Sequence, residues 1–93
     1  MIRSFKDSRT EKIFTRQRVR NMADELQRAA RRKLLQVDSS VRLEDLKVPP
    51  GNHLEALSGN RKGQCSIRVN RQFRICFVWK DGDAWDVEVV DYH

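Results

Sequence analysis

Apolar residues in the N-terminal half of the chain recur at the spacing of an α-helix. Ser8-Arg9-Thr10-Glu11 has the Ser-x-x-Glu form of a capping box, so we expect a first helix to begin near Arg9. Further along, an apolar residue returns about every four positions, which predicts a second helix with one apolar face. This stripe consists of Met22, Leu26, Ala30, Leu34 and Val37. Arg28, Arg31 and Arg32 fall away from the stripe, where a solvent-exposed face is expected.

The C-terminal half alternates apolar and polar residues instead, as β-strands do. Val48-Pro49-Pro50-Gly51-Asn52 interrupts both periods and predicts an ordered turn, because proline fixes φ and lacks a backbone donor. Four strand candidates follow, at residues 53–57, 64–69, 73–79 and 84–92, and residues 1–6 are a further short candidate. The order predicts a single α+β domain over residues 1–93. Two helices pack on one face of a four- to five-stranded, mainly antiparallel sheet, and the other face is free.

Strand register decides which side chains reach that free face. Alternation places Ile67 and Ile75 toward the helices and Arg68 and Arg74 away from them. For the apolar residues of both strands to lie on one side, residues of like parity must pair. A three-residue turn, Asn70-Arg71-Gln72, permits this pairing and sets Arg68 opposite Arg74.

The last hairpin has two candidate turns, which differ by one residue in register. A two-residue Asp81-Gly82 turn pairs Phe77 with Asp86, whereas a three-residue turn that includes Asp83 pairs Phe77 with Val87. We expect the three-residue turn, because it keeps the apolar residues of both strands on one face.

With that register, the polar face gathers two arginines and a tyrosine. Arg74 lies opposite Val90 and Gln72 opposite Tyr92, so Arg74 and Tyr92 are diagonal neighbours. Arginines directly opposite each other repel, so Arg68 and Arg74 call for a bound phosphate or a neighbouring carboxylate, and phosphate binding is the functional interpretation. The pattern also fits two long side chains that splay apart on a solvated face, so register alone leaves both interpretations open.

Four further side chains are assigned no chemistry. Trp79 and Trp85 have the parity of the apolar face and are expected in the core rather than as base-stacking surfaces. Cys65 and Cys76 take opposite faces of the sheet, which argues against a zinc site built on both, and two cysteines make no disulfide framework. We therefore expect no metal and no cofactor. With neither a signal peptide nor a membrane span evident, the sequence predicts a cytoplasmic protein.

Charge points to a polyanionic partner. The formal net charge is +6, and 13 of the 19 basic side chains are arginines, whose forked guanidinium suits phosphate. Residues 1–34 contain 11 basic and four acidic side chains. A second basic cluster contains no acid: Arg61, Lys62, Arg68, Arg71 and Arg74. Charge alone does not separate RNA from DNA or from an acidic protein.

The closing Asp91-Tyr92-His93 offers a carboxylate, a phenol and an imidazole, which can orient RNA, stack on it and exchange protons near neutral pH. With this ending, the chain resembles the HigB-type toxins, close to the GraT subgroup, in the RelE/ParE superfamily. The resemblance covers nearly the whole chain. It is carried by Val48-Pro49-Pro50-Gly51-Asn52-His53-Leu54-Glu55-Ala56-Leu57, Ser66-Ile67-Arg68-Val69-Asn70, Arg74-Ile75-Cys76-Phe77 and Gly82-Asp83-Ala84-Trp85-Asp86-Val87-Glu88-Val89-Val90-Asp91-Tyr92-His93.

The resemblance implies a RelE-like fold and a toxin of a type II toxin-antitoxin system that cleaves messenger RNA in the ribosomal A site without a metal. In such enzymes the ribose 2′-hydroxyl attacks the adjacent phosphate, leaving a cyclic phosphate, and arginines stabilise the developing charge. Arg74 and His93 match active-site positions of the family, Asp91 and Tyr92 align beside them, and Arg61 matches an RNA-facing position. On this hypothesis Arg74 holds the phosphate and His93 is the general acid or base. Tyr92 stacks or donates, and Asp91 orients a neighbour.

The resemblance also implies partners. They are the ribosome, at its 30S A site with ribosomal and messenger RNA, and a HigA-type helix-turn-helix antitoxin, through which alone the toxin reaches operator DNA. Arg28, Arg31 and Arg32 are then either a solvent-exposed face or the surface that binds the antitoxin, rather than a catalytic site. Ser58 departs from the family pattern, because related toxins commonly have a lysine there. In addition to Arg61, the residues expected to bind RNA are Lys62, Arg68 and Arg71.

Two other functions remain open at this point. A ParE-like protein of the same superfamily inhibits DNA gyrase by contact and cleaves nothing, although the terminal Asp91-Tyr92-His93 argues against it. A basic RNA-binding protein without toxicity has the same charge distribution. Cleaved message would indicate the endoribonuclease, poisoned gyrase the ParE-like inhibitor, and harmless expression without antitoxin the RNA-binding protein.

Overall fold

The computed structural model describes residues 1–92 and confirms the α+β arrangement. Within that range, helices α1 (Ser8–Phe14) and α2 (Asp24–Ser39) precede the strands β1 (Glu55–Ala56), β2 (Cys65–Arg68), β3 (Phe73–Lys80) and β4 (Asp83–Asp91). The strands pair antiparallel in chain order, β1-β2-β3-β4. Short 3₁₀ turns occupy the connections at Leu43–Lys47, Pro50–Asn52 and Gly59–Arg61.

The first residues of the chain join the sheet beside β4, in the parallel sense. Ile2 bridges to Ala84 and Phe5 bridges to Val87. Residues 1–6 therefore lie beside the sheet, as the predicted short strand required, but they form isolated bridges rather than a strand. Because these two bridges are parallel, the sheet is mainly rather than wholly antiparallel.

Helix α1 is capped one residue earlier than the capping-box interpretation expected. The carboxylate of Asp7 accepts a hydrogen bond from the Thr10 amide at 2.7 Å, so the prediction of Ser8 as the cap is wrong. An ionised acceptor at a helix N-terminus binds the free amides more strongly than a hydroxyl does. Thr10 is fully buried, and its hydroxyl accepts a hydrogen bond from the Val89 amide at 3.0 Å. This contact ties α1 to β4.

Most of the apolar stripe of α2 packs on the sheet as predicted, whereas Leu26 is half-buried and lies outside the core. Ala30, Leu34 and Val37 are fully buried, and Met22, just before the helix, packs against the same core. Each large side chain buried in such a layer contributes about 1.5–3 kcal/mol to the free energy of folding. The sheet residues of this core are Ile67, Ile75, Phe77, Ala84, Val87 and Val89.

Strands β2 and β3 pair in the predicted register. Arg68 lies opposite Arg74, and Ile67 lies opposite Ile75. The isoleucines are fully buried, which places the two arginines on the face away from the helices.

The turn between β3 and β4 differs from the predicted one. Lys80 pairs with Asp83, so the turn has two residues, Asp81 and Gly82, with φ of +54° and +79°. The three-residue turn is therefore wrong. Positive φ at both central residues is what a tight hairpin requires, and Asp-Gly adopts it readily.

A β-bulge restores the predicted register farther from the turn. The pairing shifts by one residue where Asp86 and Val87 together oppose Phe77, and Asp86 has φ of +53°. Beyond the bulge, Arg74 lies opposite Val90 as predicted. The chain thus combines the favoured two-residue turn with an apolar face that is continuous toward the C-terminus.

The same bulge moves Trp85 out of the core. Trp85 pairs with Val78 and has 37% of its surface exposed, so its assignment to the core is wrong. Trp79, on the partner strand, packs against the core as predicted. Because the bulge inserts one residue, it inverts the alternation of faces between Trp85 and the rest of β4.

The polar face of the sheet is covered at its centre. Ser66 and Cys76 point away from the helices, yet both are fully buried, so the prediction of a free face is wrong there. The connection between β1 and β2 contributes to this cover, because Arg61 reaches across to Glu88, the β4 neighbour of Cys76. Toward the chain end this face is exposed again, at Tyr92.

Candidate functional site

The turn before β1 is anchored to α2 by a buried asparagine. The side-chain amide of Asn52 donates to Gln36 Oε1 at 3.1 Å and to the Leu46 carbonyl at 3.2 Å. Its Oδ1 accepts from Lys33 Nζ at 2.6 Å. His53 follows in the left-handed conformation, with φ of +45°, so the chain changes direction there. The anchored turn thereby fixes the backbone carbonyl of His53 beside the polar face of the sheet.

Arg74 is held by that carbonyl and by a buried hydroxyl. Its Nε donates to Ser66 Oγ at 2.8 Å, and its Nη2 donates to the His53 carbonyl. Glu55 Oε1 lies 3.8 Å from Nη2, and only 12% of the Arg74 side chain is exposed. Within residues 1–92, Nη1 makes no hydrogen bond. The guanidinium is therefore fixed along one edge and can offer Nη1 to an anion.

The end of β4 brings Tyr92 to this arginine. The guanidinium carbon of Arg74 lies 6.0 Å from the centre of the Tyr92 ring, within the range of a cation–π contact. The Tyr92 amide donates to the Gln72 carbonyl at 2.8 Å, and Gln72 Nε2 donates to Asp91 Oδ2 at 3.0 Å. His93 lies outside the described residues. We call Ser66, Arg74, Tyr92, Glu55 and the His53 carbonyl the inner cluster.

A second ion pair borders the inner cluster. Arg61 Nη1 donates to Glu88 Oε1 at 2.9 Å and to Gln64 Oε1 at 3.0 Å. The hydrogen bond with Glu88 is the main cause that raises the pKa of Arg61; burial acts in the opposite direction, and the negative charges of Cys76, Glu88 and Tyr92, when ionised, raise it further. Burial raises the pKa of the Cys76 thiol, although Arg61 and Arg74 act in the opposite direction. These side chains therefore share one electrostatic environment.

The turn between β2 and β3 holds the other basic candidates. Arg68 Nε donates to the Asn70 carbonyl at 3.0 Å, so Arg68 leans toward the turn while Arg74 leans toward His53. The side chain of Asn70 accepts from the amides of Gln72 and Phe73, at 2.8 Å each, which stabilises the turn. We call Arg68, Asn70, Arg71, Gln72 and Asp91 the turn rim.

The structure brings some candidates together and separates others. Arg74 contacts Tyr92 directly, whereas Arg68 and Arg74 splay apart despite being cross-strand neighbours. Asp91 belongs to the turn rim through Gln72. Lys62 and Arg71 are exposed. The basic candidates therefore do not converge on one point.

Sequence reasoning missed several residues of this site. Glu88 has the same strand parity as Val90, so a search for acids on the polar face would have found it. Glu55 and the His53 carbonyl reach Arg74 only because the turn before β1 folds toward the sheet. No local pattern signals that contact.

The chemistry available here is anion binding, ring stacking and polar positioning. Among residues 1–92 no group of three or more His, Cys, Asp or Glu side chains could hold a metal ion. None of the helices in the described range has the length and apolar content needed to cross a membrane.

Comparisons with known proteins agree with this fold. A family profile described as the RelE-like toxin of the type II toxin-antitoxin system HigB matches residues 3–93. The chain is 44% identical to Toxin HigB-1 of Vibrio cholerae serotype O1 over 85 residues, 90% of each chain. It is also 38% identical over 53 residues to an uncharacterized protein of Haemophilus influenzae, spanning 57% of this chain and 52% of that protein.

A solved structure, the YoeB-YefM complex from Staphylococcus aureus, contains a chain of the same fold. The match has a TM-score of 0.61 at 17% sequence identity and covers 100% of this chain and 98% of that one. At this identity, the likeness concerns the fold alone. The family profile and the Vibrio relative both extend over at least nine-tenths of the sequence. The chain therefore belongs to the HigB-like family of RelE-like toxins of type II toxin-antitoxin systems.

Proposed function

We propose that this toxin is a ribosome-dependent endoribonuclease that cleaves messenger RNA in the ribosomal A site and thereby inhibits translation and growth. The observation that carries the proposal is the Arg74 guanidinium, which is fixed by Ser66 and the His53 carbonyl and lies beside the Tyr92 ring. A donor fixed in this way needs little reorganisation when negative charge develops on a phosphate.

The proposed reaction is an internal transfer at the scissile phosphate. The ribose 2′-oxygen forms a bond to phosphorus as the bond to the 5′-oxygen breaks. The 2′-hydroxyl gives its proton to a base, and an acid protonates the leaving 5′-oxygen. The products are a 2′,3′-cyclic phosphate and a 5′-hydroxyl end. Side chains and RNA supply every group in this scheme, so it requires no metal or other cofactor.

Arg74 and each member of the terminal triplet, Asp91-Tyr92-His93, have a role in this scheme. Arg74 binds the phosphate through Nη1, and Tyr92, with 36% of its surface exposed, stacks on a base or donates its hydroxyl. His93 acts as general acid or base, which suits an imidazole near neutral pH. Asp91 orients a neighbouring group from its place in the turn rim.

The other basic candidates bind RNA around the reacting phosphate. Lys62 and Arg71 are exposed and contact the backbone of messenger or ribosomal RNA by charge. Arg68 contributes from the turn rim. Arg61 is already paired with Glu88, so it acts with its remaining donors and also fixes the loop over the sheet.

The partners and location follow from this activity. The substrate complex is the 30S A site with its messenger RNA. We therefore expect the toxin to act in the cytoplasm, and residues 1–93 to form a single domain. A helix-turn-helix antitoxin of the HigA type neutralises it and provides its indirect link to operator DNA.

Translation reactions with purified ribosomes test the proposal. Wild-type toxin is expected to cut the message and leave cyclic-phosphate ends, which RNA end mapping detects. Cleavage should persist in EDTA at a concentration that leaves the ribosomes intact. Deletion of His93 should lower the cleavage rate by about two to three orders of magnitude while ribosome binding persists.

The same reactions can contradict the proposal. An intact message together with poisoned DNA gyrase would indicate the ParE-like function instead. An intact message and unimpaired growth on expression without antitoxin would indicate an RNA-binding protein without toxicity. Wild-type cleavage by the His93 deletion would remove His93 from the active site.

A further inference from the structure

A basic cleft lies in the helical layer, away from the inner cluster. It occupies about 490 Å³ between the end of α1, the connection that follows and the first turns of α2. None of its described lining residues comes from the β-strands. Its charged lining consists of Arg16, Arg18, Arg28, Arg31, Arg32 and Asp24.

The positive charge of the cleft is poorly compensated. Arg18 pairs with Asp24 at 3.4 Å, but both side chains are more than half exposed, so this contact contributes little. Arg28 and Arg32 are exposed and form no ion pair within the described chain. They stand one helical turn apart on α2, where like charges destabilise a helix.

The positive charge along α2 also affects the pKa of a neighbouring lysine, Lys33. Burial lowers the pKa of Lys33, and the charge of Arg32 lowers it further. The chain thus accepts repulsion among basic side chains along one stretch of α2. A bound anionic group would relieve that repulsion.

The shape of the cleft favours a protein segment over a nucleic acid. Its floor includes Ile13, a core residue, and the methylene stems of the arginines add apolar surface around it. A concave site that combines an apolar floor with guanidinium groups suits an amphipathic acidic peptide, which carries both kinds of side chain. A phosphodiester backbone carries charge but no apolar group for such a floor.

We propose that this cleft binds an acidic segment of a partner protein. Two carboxylates of the segment, one helical turn apart, pair with Arg28 and Arg32, whose spacing they match. An apolar side chain of the segment lies over Ile13. This inference is independent of RNA cleavage, because the cleft shares no residue with the inner cluster. In a toxin-antitoxin pair, the antitoxin is the first protein in which to look for such a segment.

A labelled peptide tests the proposal directly. The probe is a helical peptide of about three turns, with two glutamates one turn apart flanking a leucine, and fluorescence anisotropy measures its binding to the full chain. We expect Arg28→Glu/Arg32→Glu to weaken binding by about tenfold or more, because it replaces both cations with anions. The matched control, Lys47→Glu/Lys80→Glu, makes the same change of net charge at exposed sites outside the cleft. It should weaken binding by about twofold or less.

A single-stranded RNA of similar length and charge provides the second arm. It should lose comparable affinity in both double variants, as expected for general electrostatic attraction. Equal weakening of the peptide by both variants, or no peptide binding to the wild type, would show that the cleft is not a peptide site. Selective loss of the RNA in the cleft variant alone would identify an RNA surface and overturn the proposal. Cleavage of message, measured in parallel, tests only the proposed function.

Discussion

Two arginines that face each other across β2 and β3 have different surroundings. Arg74 is almost enclosed, with its Nε and Nη2 donors committed to Ser66 and to the His53 carbonyl. Arg68 leans away and holds the Asn70 carbonyl in the turn rim. Identical side chains at paired positions are thus placed differently by the loops beside them. We infer that the inner cluster positions reacting groups and that the turn rim mainly attracts RNA by charge.

The difference arises from what each loop brings to the sheet. The turn before β1 is tied to α2 through Asn52, so the carbonyl that holds Arg74 depends on the core. The turn rim is stabilised by contacts close to the turn, such as those of Asn70. A side chain that stabilises the charge on a reacting phosphate must be held in one geometry, whereas side chains that attract RNA by charge can be mobile.

Replacing the two arginines separately should give the largest contrast. Arg74→Ala should lower the rate of message cleavage by about 10²–10³-fold, because it removes the fixed donor for the reacting phosphate. Arg68→Ala, its matched control, should change the rate by about threefold at most and mainly weaken RNA binding at low salt, with a smaller difference from the wild type as salt rises. Single-turnover cleavage with excess toxin measures both. Equal losses in the two variants would break the distinction between inner cluster and turn rim.

Removing the anchor of the inner cluster should cost stability as well as activity. Asn52→Ala deletes several buried hydrogen bonds and leaves Lys33 without its partner, so we expect the free energy of unfolding to fall by about 2–3 kcal/mol. Asn60→Ala, at an exposed position, should change it by about 0.5 kcal/mol or less. Urea denaturation gives both values. A neutral Asn52→Ala would mean that the turn is held by other contacts.

The Arg61–Glu88 pair should have a smaller effect. Glu88→Gln removes the charge that fixes Arg61 over the sheet, and we expect cleavage to slow by about tenfold while ribosome binding stays near that of the wild type. Glu44→Gln, at an exposed site remote in sequence, is the control for loss of an acid. If weakened ribosome binding accounted for the whole effect of Glu88→Gln, the pair would act in RNA attraction and not in positioning.

The smallest expected effect is a dependence of stability on acid, far from the inner cluster. The hydrogen bond from Arg3, at 3.0 Å, is the main cause that lowers the pKa of Asp83 below its ordinary value of 3.8. A carboxyl group with a lowered pKa stabilises the fold above its ordinary value and loses that contribution as pH falls through the folded value. Asp83→Asn should therefore be less stable than the wild type at pH 7, with the difference vanishing in acid.

Thermal unfolding from neutral to acidic pH measures that dependence, with Asp81→Asn as the control in the same hairpin. The Asp81 side chain forms no ion pair in the described part of the chain, so its variant should follow the wild type at every pH. A constant deficit for Asp83→Asn down to strong acid would exclude the ionised carboxylate as its cause.

Much of the fold could be predicted because its signals are local. The stripe of α2 and the register of Arg68 opposite Arg74 follow from apolar spacing and from the length of one turn. The β3–β4 hairpin could not be predicted in full, because its tight turn and its apolar face require different registers. The bulge at Asp86 reconciles them, and neither alternation nor turn type alone predicts a bulge.

The candidate site was predictable to the extent that strand parity determines it. Parity placed Arg74 and Tyr92 as diagonal neighbours, and the two side chains are in contact. It did not predict that Ser66 is buried or that the His53 carbonyl binds Arg74, because those features depend on how a distant turn folds over the sheet. The catalytic roles of Asp91, Tyr92 and His93 remain predictions.

The most direct measurement is a double-mutant cycle of Ser66→Ala and Arg74→Lys in single-turnover cleavage of ribosome-bound message. If Ser66 acts by fixing the Arg74 guanidinium, Ser66→Ala should slow the wild-type toxin by about tenfold and have almost no further effect beside Arg74→Lys. Fully additive losses, with Ser66→Ala equally damaging in both backgrounds, would contradict a preorganised Arg74 as the centre of the active site.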